Sequence, residues 1–446
     1  MQYPNLSFKN IHRLAIPALI AGIAEPVLSA TDAAVVGNIS ENGTEALAAV
    51  GIVGSFLSAL IWILGQTRSA ISSIISQYLG AGKIDQIKNL PAQAIALNVA
   101  LSLLILGSTI FFVEGIFKLY NASGLVLEFS VDYYNIRVWG FPLTLFTFAV
   151  FGVFRGLQNT FWPMIIALTG AVVNIGLDFA LVYGIEGWIE PMHLKGAAWA
   201  SLIAQGVMAL LSLWLLLWKT NISLKLNLPL HPELYTLVGM ALNLFVRTLA
   251  LNVAIYFANA FATDYGTAFI AAQTIALNLW LFSAFFIDGY ASSGNILGGK
   301  LYGARDFKQL KLLGIKVSVY GLLVSVLLMM VGWVLYEPLG LLFSKDPEVL
   351  QRFNEIFFIV ILVQPINALA FVFDGIFKGM GKMKYLRNVL LVATFLGFIP
   401  VIFLGDYLGL QLYGVWIAFV VWAMIRAAAL MVKFRQLVLA ATKTQS

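Results

Sequence analysis

Twelve stretches of mostly apolar residues, each twenty residues or longer, run along this chain: 11–37, 46–79, 91–113, 131–154, 161–183, 196–218, 234–260, 267–299, 310–336, 351–377, 386–405 and 411–435. A hydrocarbon core about 30 Å thick takes ~20 apolar residues to cross, and only a helix satisfies its own backbone there. These stretches are too long and too uniform for the alternating strands of a membrane barrel. Hydrophobic residues make up 61% of the chain and charged ones 11%, too few polar side chains to cover a soluble surface or keep the chain disordered. With no cysteine there is no disulfide scaffold either. The expected fold class is therefore all-α integral membrane, with twelve transmembrane helices.

The charges between the stretches support that count. With both termini on one side, that side collects 20 basic residues against Asp85, Glu233 and Asp306, while the other carries four basic and 13 acidic. The positive-inside rule makes the first side cytoplasmic. The net charge of +6 thus reflects topology, with no basic patch to bind nucleic acid. The first stretch contains Glu25, Pro26 and Asp32 and lacks a small-residue cleavage site, so it is expected to be a retained span.

Half the chain repeats at an offset of 223 residues. Gly43-Thr44 followed by Ala48-Ala49 returns as Gly266-Thr267 followed by Ala271-Ala272, and Gly80-Ala81 returns as Gly303-Ala304. Pro142, Phe148, Gly152, Phe154 and Gly156 return as Pro365, Phe371, Gly375, Phe377 and Gly379. After the fifth span the offset falls to 218, with Gly196 matching Gly414. Six spans per half put both halves in the same orientation, so the lobes are expected to be related by a pseudo-two-fold axis along the membrane normal. The expected division is an N-terminal lobe at 1–218, a cytoplasmic linker at 219–233 and a C-terminal lobe at 234–446.

A charge at mid-bilayer is costly, so each one requires a partner or a task. Eight charges are assigned to the membrane interior rather than to either side: Glu25, Asp32, Arg68, Arg137, Asp178, Arg247, Asp288 and Asp374. At the common offset Asp32 faces Ile255, Asp178 faces Val401 and Asn174 faces Gly397, so these polar groups are peculiar to the first half. Glu25 and Asp32 share one helix face, as do Asn174 and Asp178. If the first and fifth helices meet, these side chains make an oxygen-rich cage for a hard cation such as Na+, or carboxylates that carry a proton. Ser201 in the sixth span adds a hydroxyl. Pro26 frees the carbonyl of Gly22, which permits the first helix to bend before Asp32. In the second half, Arg247 and Asp288 are a candidate pair, and Asp374 with Lys378 is an i,i+4 ion pair.

Enzymatic chemistry finds no footing. His12, His193 and His231 lie in or beside separate loops, and there is no Walker loop, nucleophile elbow or His–Glu zinc motif. No cofactor is implied and no metal beyond Na+ at Asp32, Asn174 and Asp178. A flippase for a lipid-linked saccharide is the alternative transporter, but its cleft should be basic, whereas the charges assigned to the interior here are five acids against three bases. A passive channel or scaffold is a further class.

The stretches Ser29-Ala30-Thr31-Asp32-Ala33-Ala34-Val35-Val36-Gly37, Phe154-Arg155-Gly156-Leu157-Gln158-Asn159-Thr160 and Asn174-Ile175-Gly176-Leu177-Asp178 resemble the multidrug and toxic compound extrusion (MATE) family. Phe286-Ile287-Asp288-Gly289 and Gly303-Ala304-Arg305-Asp306 are similar to its prokaryotic branch named after DNA-damage-inducible protein F. The likeness spans essentially the whole chain. It implies export of cationic, amphipathic small molecules by alternating access in exchange for H+ or Na+. It also implies a multi-pass protein of the bacterial inner membrane, surrounded by lipid. Two lobes form a complete cleft without another chain, so a monomer is the expectation. The resemblance carries the family's essential aspartate onto Asp32 and its fifth-helix pair onto Asn174 and Asp178. Ser201 stands where the family often has threonine, and Glu25 where it often has glutamine.

Overall fold

The computed structural model of the chain describes residues 6–39 and 42–443, without the side chain of Glu25. Among these residues the regular structure is helical, apart from one antiparallel bridge between Ile185 and Ile189. The helices are α1 (Phe8–Gly37), α2 (Gly43–Leu64), α3 (Thr67–Gly80), α4 (Leu90–Ile110), α5 (Val113–Leu119) and α6 (Gly124–Arg137). They continue as α7 (Gly140–Gly156), α8 (Phe161–Val182), α9 (His193–Lys219), α10 (Pro232–Tyr265), α11 (Thr267–Gly303) and α12 (Phe307–Val334). Last come α13 (Tyr336–Leu341), α14 (Pro347–Leu362), α15 (Gln364–Gly379), α16 (Met383–Val392), α17 (Ile399–Tyr407) and α18 (Leu412–Lys443). A π-helical turn, Ala393–Phe398, joins α16 to α17.

Among the described residues ten segments are long enough and apolar enough to cross a membrane, and two bent pairs bring the number to twelve if each pair is one span. The bent pairs are α6 with α7, at 48°, and α14 with α15, at 49°. Both bends come just before a proline of the repeat, Pro142 or Pro365. Proline removes a helical N–H and crowds the preceding turn, so the same residue type bends both copies at the same place.

Backbone conformation repeats too. Left-handed residues occur at Gly82 (φ 69°) and Arg305 (φ 56°), and at Gln158 (φ 66°) and Gly381 (φ 73°), each pair 223 apart. His193 (φ 50°) and Gln411 (φ 49°) match at the shorter offset of 218. Glycines repeat at close helix crossings. A Cβ on Gly152 would meet the Arg68 carbonyl of α3 at 2.7 Å, and one on Gly375 would strike the equivalent Ala291 carbonyl of α11. Gly156 and Gly379 repeat the approach one turn later, giving two small-xxx-small contacts in which helices pack without relying on hydrophobic exclusion.

The chain forms two compact units, one of residues 20–75 and 83–241, the other of 6–19, 76–82 and 242–443. The first has a core around Val36, Val53, Phe117 and Tyr134; the second is centred on Phe353, Phe398, Trp416 and Trp422. The units change over near 241, and two first-half segments group with the second half. Local contacts explain this. Gly289 lies on the Ala15 carbonyl, Lys316 Nζ donates to the Leu6 carbonyl at 2.7 Å, and His12 is bonded to the Tyr290 hydroxyl at 3.1 Å. Gly80 rests on the backbone of Lys300 and Gly303 on that of Gln77, a reciprocal crossing. The segment expected to be the linker is tied to α4, where Gln93 donates to the Asn227 carbonyl at 2.8 Å and accepts from the His231 amide at 2.8 Å.

Candidate functional site

In the first unit α1, α6, α8 and α9 bring together most of the polar groups marked in the sequence. On α8, Asn174 and Asp178 are one turn apart, so Asn174 Nδ2 donates to Asp178 Oδ2 at 3.2 Å. Small residues set how close α9 comes: a Cβ on Gly196 would meet the Leu181 carbonyl at 2.5 Å, and Ala197, Ala198, Ala200 and Ala204 are buried. At that separation Ser201 Oγ sits 3.5 Å from Asn174 Nδ2 and donates to Asp32 Oδ2 at 3.0 Å. The end of α1 is tied to α8 by Tyr183, whose hydroxyl donates to the Val35 carbonyl at 2.8 Å.

All four side chains are buried: Asp32 is 5% exposed, Asn174 2%, Asp178 0% and Ser201 4%. The donors are fully committed. One amide proton of Asn174 serves Asp178, the other points to Ser201, and the single Ser201 proton serves Asp32. Asp32 Oδ1 and Asp178 Oδ1 are buried with no hydrogen-bond partner. The two carboxylates interact directly. Two buried, adjacent carboxylates cannot both stay ionised without a compensating charge, so the cluster calls for a proton or a cation. Two carboxylates, an amide and a hydroxyl are the hard oxygen donors that suit Na+. Among the described residues no group of three or more His, Cys, Asp and Glu side chains is placed to hold a metal ion, so a softer transition-metal site is not formed.

Sequence reasoning did not bring α6 into this site. Tyr133 is buried within electrostatic reach of both carboxylates, and Arg137, one turn on, lies over its ring with 5.9 Å between guanidinium carbon and ring centroid. The i,i+4 spacing of an aromatic and an arginine inside a span was the available signal. Arg137 is also the cation that acts on Asp178. Arg68 lies over the ring of Phe148, with 5.0 Å between guanidinium carbon and ring centroid. The Glu25 side chain lies outside the described residues, and α1 continues as one helix through Pro26.

In the second unit the expected pairing of Arg247 with Asp288 does not occur. Arg247 Nη2 instead pairs with Asp374 Oδ1 at 2.6 Å, and Lys378 Nζ pairs with Asp374 Oδ2 at 3.0 Å. Asp288 is exposed, because Gly289 beside it lies against the α1 backbone and Tyr290 faces His12, turning Asp288 away. The expected ion pair of Asp374 with Lys378 is present. Arg426, counted in the sequence with the cytoplasmic charges, is 2% exposed next to Arg247 and Asp374.

A twelve-span helical bundle, duplicated in sequence, with a buried acidic site in one half, defines a multi-pass membrane transporter rather than an enzyme. The family model MatE matches the chain twice, over residues 17–180 and 239–404, once for each repeat. The chain belongs to the MatE family, whose members are secondary-active multidrug exporters of small organic molecules. It is 25% identical over 447 residues to DNA damage-inducible protein F of Escherichia coli (strain K12), covering 98% of this chain and 94% of that protein. It is also 25% identical over 484 residues to Protein DETOXIFICATION 42 of Arabidopsis thaliana, covering 94% and 90% respectively. Its fold matches a MATE protein crystallised in a bent conformation, with TM-score 0.90, 21% identity and coverage of 98% and 96%.

Proposed function

We propose that the chain is a cation-coupled exporter of cationic, amphipathic organic compounds, and that Asp32 and Asp178 bind the coupling H+ or Na+ with help from Asn174 and Ser201. The observation that carries this reading is the pair of buried carboxylate oxygens, Asp32 Oδ1 and Asp178 Oδ1, that have no hydrogen-bond partner. Relatives of similar length, named multidrug resistance proteins in Pasteurella multocida and Vibrio vulnificus, support the substrate class. Binding of the ion neutralises the pair and removes the attraction that holds a cationic substrate, so ion entry and substrate exit are linked by competition for one negative charge. Bending of α1 at Pro26 is the proposed movement that couples the two, with Glu25 able to contribute from the same helix face. The protein is proposed to work as a monomer in the bacterial inner membrane, with both termini cytoplasmic.

The deciding experiment is exchange of ethidium across proteoliposomes containing the purified chain, driven by a pH or a sodium gradient. Asp32→Asn should abolish gradient-driven exchange. Persistence of wild-type exchange in that variant overturns the reading.

A further inference from the structure

The segment that joins α9 to α10 has a pattern of its own. Every even position from Ile222 to Leu230 is isoleucine or leucine, and the odd positions between them hold serine, lysine, asparagine and proline. A period of two belongs to an extended segment with one apolar side. α9 does run out into extended backbone, at Thr220 (φ −134°, ψ 158°). The polar positions of the segment meet protein. Asn227 Nδ2 donates to Asn89 Oδ1 at 3.2 Å, and His231 Nε2 lies 3.0 Å from the Gln86 carbonyl, beside the contacts of Gln93 described above. These bonds tie the segment to the start of α4 and the turn before it. The leucines stay outside: Leu226, Leu228 and Leu230 are 64%, 84% and 47% exposed.

The two helix ends that the segment joins indicate what covers these leucines. Trp214 and Trp218 stack at 4.8 Å on the last turns of α9 and are exposed, and Tyr235 is exposed in the first turn of α10. Exposed tryptophan and tyrosine at the ends of membrane spans sit at the level of the lipid headgroups. The segment therefore leaves one span and enters the next at that level, and its leucines continue the lipid-facing surface of α9. Its charge fits as well. Residues 219–231 contain two lysines and no acid, and Lys219 Nζ lies 3.3 Å from the ring centroid of Trp218 and 5.3 Å from that of Trp162. Anionic lipid surfaces attract such a stretch, and lysine stems can lie along apolar surface while the ammonium reaches the phosphates. We propose that residues 222–230 form an interfacial strap. Leu226, Leu228 and Leu230 enter the acyl region just beneath the headgroups of an anionic phospholipid leaflet, and Lys219 and Lys225 face its phosphates. Polar groups pin the strap to α4, and leucines pin it to the bilayer. The strap does not depend on which substrate the chain carries or which ion drives it.

The chain has no cysteine, so a nitroxide on Leu228→Cys or on Ser223→Cys reports one position only. The full-length variants are reconstituted in vesicles of equal parts phosphatidylcholine and phosphatidylglycerol. Spin-label accessibility is measured to oxygen, which concentrates in acyl chains, and to nickel ethylenediaminediacetate, which stays in water and is present on both sides. The oxygen-to-nickel ratio at 228 should exceed that at 223 by about fivefold or more, as expected for a side chain sunk beneath the headgroups. Equal ratios at the two positions overturn the proposal. So does a label at 228 that is shielded from both reagents, because protein rather than lipid would then cover the leucines. Should Leu228→Cys fail to fold or to label, Leu226→Cys has the same expected ratio and the same refutation. Adding Lys225→Gln to Leu228→Cys should lower the ratio at 228 about twofold, and so should vesicles of phosphatidylcholine alone, since each removes attraction between lysine and anionic lipid. No change under either condition overturns the assignment of an anionic leaflet.

Discussion

Ser201 Oγ donates a 3.0 Å hydrogen bond to Asp32 Oδ2, linking α9 to α1 within the acidic site. The hydroxyl orients one carboxylate oxygen and leaves Asp32 Oδ1 free of protein donors. Ser201→Ala should therefore weaken ion binding without removing it, raising the ion concentration for half-maximal exchange by about ten- to a hundredfold, the worth of one hydrogen bond to a charged group. Ser201→Thr keeps the hydroxyl and should stay within about twofold of wild type. Titration of exchange against H+ or Na+ in proteoliposomes checks both variants, and equal behaviour of alanine and threonine would show that the bond is idle.

Asp178 is fully buried and linked to Asn174 at 3.2 Å. In an antiporter the substrate accumulates on the side from which the ion enters. With sodium absent, substrate should move toward the acidic compartment if the ion is H+. With pH clamped, it should move toward the sodium-rich compartment if the ion is Na+. Whichever gradient works for the wild type, Asp178→Asn should reduce its effect at least about tenfold, because it removes half of the negative charge proposed to bind the ion. Fluorescent substrate flux under each gradient alone provides the measurement.

The repeated glycine crossings predict a difference in stability between two glycine substitutions. Gly375→Val places a branched side chain on the Ala291 carbonyl of α11, a backbone group that cannot step aside. Its cost should be ~3 kcal/mol or more, in the range of severe overpacking. Gly107 of α4 has nothing within 4 Å of a built Cβ. Gly107→Ala should gain about 0.5–1 kcal/mol through better helix propensity. Thermal unfolding of the two variants in detergent should shift in opposite directions.

The spans were legible because a membrane helix is written in sequence as an unbroken apolar run. Charge alternation and the repeat then checked their number independently. The acidic site was legible for a related reason: Asp32, Asn174 and Asp178 stand out where the other half carries Ile255, Gly397 and Val401. What escaped was pairing across helices. Arg247 is equally distant in kind from Asp288 and Asp374 when only the sequence is read, and the choice is made by the rotation of α11, fixed through Gly289 on α1. Arg426 escaped because a charge near a helix end looks cytoplasmic until neighbouring helices cover it. Tyr133 looked like one more core aromatic.

Removing the acid from the cationic cluster should destabilise the protein. Asp374 holds Arg247 and Lys378 at hydrogen-bonding distance with Arg426 close by. Loss of one member of a buried ion pair leaves the others uncompensated, which costs ~3–5 kcal/mol and exceeds what the intact pair contributes over an apolar replacement. Asp374→Ala should thus lower the unfolding temperature markedly. The double variant Asp374→Ala with Arg247→Met should recover part of the loss, since the second change withdraws one stranded cation. Exposed pairs give the contrast: with Lys118 and Glu114 2.6 Å apart on α5 and 59% and 64% of their side chains open, Glu114→Ala should leave the unfolding temperature close to that of the wild type. Comparing the three variants by thermal unfolding tests whether loss of a buried, paired carboxylate costs more than loss of an exposed one. Equal losses from Asp374→Ala and Glu114→Ala would refute that.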